Sequence, residues 1–115
     1  MYYTYMIRCK DNSIYTGITT DLKRRMKEHF EKNKKCAKYT KKHEFKKIET
    51  AWSSETRSIA LKLEYHIKRL KKEQKENIIK SNDKLKEFLE EKVSIVEYTR
   101  IPQKDICEIN NKLKS

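Results

Sequence analysis

Residues Ile14 to Phe30 read IYTGITTDLKRRMKEHF: the end of a strand carrying a tyrosine, one glycine, then a helix carrying an arginine and a histidine. Gly17 is the only glycine among 115 residues. A residue type used once is expected where no side chain is tolerated, at a bend or a close backbone approach. In the helix, Leu22, Arg25, Met26 and His29 follow the i, i+3, i+4, i+7 spacing and share one face, whereas Arg24 points to solvent. Arg25 therefore sits on the border of an apolar stripe, near Tyr15 if the helix folds back onto its strand. A permanent charge in that position suits a phosphate. Thr20 or Asp21 can cap the helix.

Working outward, Tyr2–Arg8 alternates aromatic and β-branched residues as a strand does, with Tyr3, Tyr5 and Ile7 on one side. Asp11, Asn12 and Ser13 supply hairpin-loop chemistry, so the two strands should pair antiparallel. Residues 32–47 hold eight lysines and one glutamate, interleaved with Tyr39, His43 and Phe45. Ammonium groups mixed with stacking-capable rings fit a nucleic-acid contact better than a plain solvated surface. Lys35, Lys38, Lys41 and Lys42 are the expected contacts.

Lys47–Ser53 alternates Ile48, Thr50 and Trp52 as a third strand, and Ser53 or Ser54 can cap the helix after it. That helix carries the stripe Ile59, Ala60, Leu63, Ile67 and Leu70. Glu64 lies on the stripe's border, where a carboxylate is either paired with a cation or ligating a metal. Lys71–Lys80 and Asp83–Lys92 read as helices, Val93–Tyr98 as a strand or extended cover, and Gln103–Leu113 as a terminal helix opened by Pro102. The expected fold is α+β: a small three-stranded antiparallel sheet flanked by helices, with a helical C-terminal extension. The expected division is a domain over 1–82 and an extension over 83–115.

Charge separates the same two parts. The net charge of +12 comes from 22 lysines and arginines against 10 acidic residues before position 83, and from 7 of each after it. This asymmetry points to a polyanion-binding domain with a neutral tail. Mean hydropathy is −1.05, and no run of about 18 apolar residues exists, so a cytoplasmic protein without membrane association is expected. Cys9, Cys36 and Cys107 are odd in number and widely spaced, which favours free thiols over disulfides or a zinc site.

Together, Tyr15-Thr16-Gly17, Arg25 eight residues after the glycine, His29 one turn later and Glu64 within SIALKLEYHIKRL resemble the GIY-YIG endonucleases. The likeness is to the small single-domain bacterial members with a YTGIT motif. Tyr3-Thr4-Tyr5 stands where Gly-Ile-Tyr would be, so only Tyr5 matches the first motif. The resemblance covers about residues 1–80 and implies an endonuclease that hydrolyses DNA with Mg²⁺ or Mn²⁺ on Glu64. Arg25 would hold the scissile phosphate, Tyr5 or Tyr15 would act as base, and His29 would support them.

Without a separate recognition domain, selection by DNA structure is expected rather than selection by sequence, and no small-molecule substrate is expected. The alternative is a non-catalytic nucleic-acid-binding module of the same fold. Residues 83–115 are a candidate surface for a protein partner or a second copy.

Overall fold

The computed structural model describes residues 1–31 and 42–114. Its elements run β1 Tyr2–Cys9, β2 Ile14–Thr19, α1 Leu22–Glu31, β3 Phe45–Ser54, α2 Arg57–Lys68, α3 Lys72–Lys80, α4 Asn82–Leu89, a 3₁₀ turn Ile95–Glu97, β4 Thr99–Arg100 and α5 Gln103–Lys114. The fold is α+β. Its antiparallel sheet is ordered β2-β1-β3-β4, four strands among the described residues instead of the expected three. The two-residue β4 pairs Arg100 with Trp52 and Thr99 with Ser53, and it comes from the segment that charge alone set apart.

The β1–β2 hairpin turns at Asn12, whose φ of 71° suits a short polar side chain. Asp11 holds the turn by accepting from the Ser13 amide at 3.0 Å. Asp21 caps α1, its Oδ1 accepting from Arg24 N at 3.1 Å. For α2 the cap is Thr56, whose hydroxyl accepts from Ile59 N, two residues beyond the serines that the sequence suggested.

Each face of the sheet has its own core. On the first face Tyr5, Ile7, Ile48 and Ala51 pack with Leu22 and Met26 of α1 and with Ile106 and Ile109 of α5. On the second, Met6 and Trp52 pack with Leu63 and Ile67 of α2, Ile78 of α3, Leu85 and Leu89 of α4, Val93 and Tyr98. Residues after 82 thus contribute to both cores.

Strand β3 does not alternate as its sequence suggests. The β1–β3 register shifts between Met6 and Ile7, opposite Glu49, so Ile48 joins the first core and Trp52 the second. The bulge leaves Ile48 facing Asn110 of α5, whose amide accepts from Ile48 N at 3.0 Å and donates to Ile48 O at 2.9 Å.

Candidate active site

Tyr5 of β1 stands opposite Gly17 of β2, and Ile7 stands opposite Tyr15, so both phenols lie on the first face. Helix α1 covers that face, which brings Arg25 and His29 over them. Helix α2 packs on the second face, where Thr4 Oγ1 donates to Ala60 O at 3.0 Å. Strand β2 is the sheet's edge among the described residues, and Glu64 and Lys68 of α2 meet Tyr15 past it. Lys68 Nζ lies 5.2 Å from the Tyr15 ring centroid and 3.6 Å from Glu64 Oε2. The five residues singled out in the sequence therefore meet at the β2 rim, drawn from four elements.

Gly17 is explained by a close approach, since its φ is not positive. A Cβ there would lie 2.6 Å from the Tyr5 hydroxyl oxygen and 3.0 Å from a Tyr15 ring carbon. The phenol of Tyr5 occupies the space a side chain would fill.

Tyr5 is 1% exposed. Its oxygen lies 2.9 Å from His29 Nε2 and receives a longer bond, 3.4 Å, from Arg25 Nε. Burial raises the Tyr5 phenol well above its ordinary pKa; the Arg25 hydrogen bond pulls it down, and Tyr15 and Glu64 push it further up. Tyr15 is only half-buried. Its pKa is also raised, by burial first and then by the Glu64 carboxylate, against the lowering effect of Arg25.

His29 is fully buried and stacks on Phe45, with ring planes 12° apart. Burial, helped by the Arg25 charge, lowers its pKa to about 4, so the imidazole is neutral at pH 7. With Arg25 donating to the Tyr5 oxygen, a neutral His29 Nε2 is placed to accept the phenol proton.

Arg25 is fixed by Glu28, a residue that sequence reasoning passed over. Glu28 Oε1 accepts from Arg25 Nη1 at 2.8 Å and Oε2 from Arg24 Nη1 at 3.2 Å, and the residue is 6% exposed. Burial works against the Arg25 charge, but bonds to Glu28 and Tyr5 outweigh it and raise the pKa. The signal was available: an acid three residues after one arginine and four after the other meets both on a helix.

Glu64 is half-buried beside Tyr15, with 18% of its side chain exposed. Among the described residues no group of three or more His, Cys, Asp or Glu could cage a metal. A single carboxylate next to a phosphate-binding arginine does fit Mg²⁺, which keeps most of its waters and takes phosphate oxygens as further ligands. Lys35, Lys38 and Lys41 lie outside the described residues, and Lys42 is exposed just ahead of β3.

The altered first motif leaves the geometry intact. Tyr3 packs against the first core, and Thr4 is buried with its hydroxyl satisfied by Ala60. The GIY-YIG catalytic domain matches residues 1–77. The chain belongs to the GIY-YIG family.

A UPF0213 protein of Fusobacterium nucleatum is 50% identical over 82 residues, covering 71% of this chain and 80% of the relative. A UPF0213 protein of Citrobacter koseri is 46% identical over 78 residues, covering 68% of this chain and 76% of the relative. The solution NMR structure of the UPF0213 protein BH0048 from Bacillus halodurans is 38% identical, covers 70% of this chain and 84% of its own, and has a TM-score of 0.44. The GIY-YIG domain points to a nuclease acting on nucleic acid. No helix among the described residues is long and apolar enough to cross a membrane.

Proposed function

We propose that the protein is a Mg²⁺- or Mn²⁺-dependent endonuclease that hydrolyses phosphodiester bonds in DNA. The observation that carries this reading is the meeting of Tyr5, Tyr15, Arg25, His29 and Glu64 at one rim of the sheet. Glu64 is the residue that would hold the divalent cation. Bound there, such an ion would offset the carboxylate that now raises the Tyr15 phenol, and would polarise the phosphate.

Arg25, oriented by Glu28 and Tyr5, binds a non-bridging oxygen of the scissile phosphate and stabilises the charge that builds up there. Tyr15 is the phenol that solvent reaches, so it is the one assigned to accept a proton from the attacking water. The water oxygen bonds to phosphorus as the P–O bond to the leaving sugar breaks, and that sugar oxygen takes up a proton. Tyr5 and His29, both buried, hold Arg25 from beneath.

The described residues form one fold around a single sheet, with no separate module for reading bases. This supports selection by DNA structure rather than sequence. A cytoplasmic setting agrees with the free thiols of Cys9 and Cys107.

The test is cleavage of branched, single-stranded and supercoiled DNA with Mg²⁺ or Mn²⁺, repeated with Arg25→Ala, Glu64→Gln and Tyr15→Phe. The reading expects metal-dependent cutting by the native chain and loss in all three variants. Cutting that survives Glu64→Gln and chelation overturns it. The second reading, a module that grips DNA without cutting, is favoured by the Lys68 ammonium already set beside Glu64. Tight, salt-sensitive binding with no cleavage under any metal would establish that reading instead.

A further inference from the structure

The acidic residues nearest the candidate active site on the second face are taken up by one arginine. Arg8 is buried and forms a fork with Glu76 through Nη1 at 2.6 Å and Nη2 at 2.5 Å, and its Nε donates to Glu49 at 3.0 Å. Glu49 sits at the β3 bulge and Glu76 on α3, so this triad ties α3 to the sheet. It also withdraws Glu76 from its sequence neighbour Lys75.

Lys75 is half-buried and has no ion-pair partner among the described residues. Burial lowers its pKa, and the charge of Lys68 lowers it further, which sets the two ammonium groups near each other. Lys68 has Glu64 at 3.6 Å and the Tyr15 ring on its other side. A pair of neighbouring ammonium groups, one of them partly desolvated and uncompensated, is electrostatically unfavourable unless an anion joins it.

We propose that Lys68 and Lys75 form a second phosphate subsite, which takes the backbone phosphate adjoining the scissile one. This rests on the nuclease reading above and names how its substrate is aligned. Arg25 approaches from α1 on the first face, whereas Lys68 and Lys75 approach from α2 and α3 on the second. Two phosphates gripped from opposite sides of the β2 rim fix the direction of the strand as well as its position. When the phosphate binds, Lys68 turns from Glu64 towards it and frees the carboxylate for the cation.

The experiment is a salt titration of binding, with Ca²⁺ in place of Mg²⁺, to a fluorescein-labelled branched DNA and to a labelled single strand. It compares the native chain with Lys68→Gln, Lys75→Gln, the double variant, Lys68→Arg/Lys75→Arg, and Lys104→Gln as an exposed lysine on α5. Each lost phosphate contact lowers the slope of log affinity against log salt by about 0.9 on duplex and about 0.7 on single strand. The double variant should therefore narrow the affinity ratio between 50 and 200 mM salt about twelvefold on duplex. The arginine pair should restore the native slope.

A slope unchanged in the double variant, or changed no more than by Lys104→Gln, overturns the subsite. Loss of thermal stability with a native slope overturns it too, because Lys75 would then be structural only. Failure of the native chain to cleave any DNA would count against the nuclease reading alone, since the slope is read without cleavage.

Discussion

Glu28 joins Arg24 and Arg25 through its two carboxylate oxygens, at 3.2 and 2.8 Å, from a buried position at the middle of α1. Arg25 is thus aimed by its own helix, and the aim depends on a charge that never needs to touch the substrate. Glu28→Gln keeps the shape and removes that charge. It should lower kcat/KM by about tenfold to a hundredfold, in line with about 1.5–3 kcal/mol for a charged hydrogen bond. Kinetics on a branched DNA check this. A positioning role predicts that kcat falls more than KM rises, with most of the native fold stability retained.

Gly17→Ala places a methyl group 2.6 Å from the Tyr5 oxygen. That oxygen cannot simply move aside, because His29 and Arg25 hold it. Overpacking of this kind costs about 1–3 kcal/mol. Urea denaturation should show the loss, and cleavage should fall even at temperatures where the variant remains folded.

His29 predicts an acid limb to stability. Its folded pKa of about 4 lies below the ordinary histidine value, so the unfolded chain binds the extra proton first as pH falls. The stability contributed by the neutral imidazole is intact above about pH 6.5, erodes between about 6.5 and 4, and is fully lost below that. The change is up to about 3 kcal/mol. Urea midpoints measured from pH 7.5 to 4.5 should drop, and His29→Phe should flatten the part of that drop due to this residue.

Asn110 satisfies both backbone groups of Ile48 at the bulge. Asn110→Leu keeps the bulk on α5 and leaves a donor and an acceptor without their partner. The expected cost is about 1–3 kcal/mol, read as a lower urea midpoint with faster amide exchange at Ile48. Catalysis at the opposite rim should change little at permissive temperature.

Much of this architecture was legible because its signals are local. The hairpin, the α1 face carrying Arg25 and His29, and the α2 stripe bordered by Glu64 each follow from spacing within a dozen residues. The face reversal in β3 was not legible: Ile48, Thr50 and Trp52 alternate perfectly in sequence, and only the bulge opposite Ile7 sends Ile48 and Trp52 to different cores. Glu28 looked like one more surface acid in a lysine-rich helix, since its burial depends on the arginines that neutralise it. The fourth strand is two residues long and carries no periodic signal. Arg8 gave no sign of its acid partners, because Glu49 and Glu76 lie 41 and 68 positions away.

The location of Tyr15 on an outer strand carries a constraint on assembly. The hydrogen-bonding margin of β2 is the natural place for a second sheet to attach, yet the route to Tyr15, Glu64 and Arg25 runs past the same margin. Two copies that zipped together there would each plug the other's entrance. Any self-association compatible with turnover has to use the opposite flank of the molecule, so a concentration-dependent loss of specific activity would be the mark of the wrong dimer.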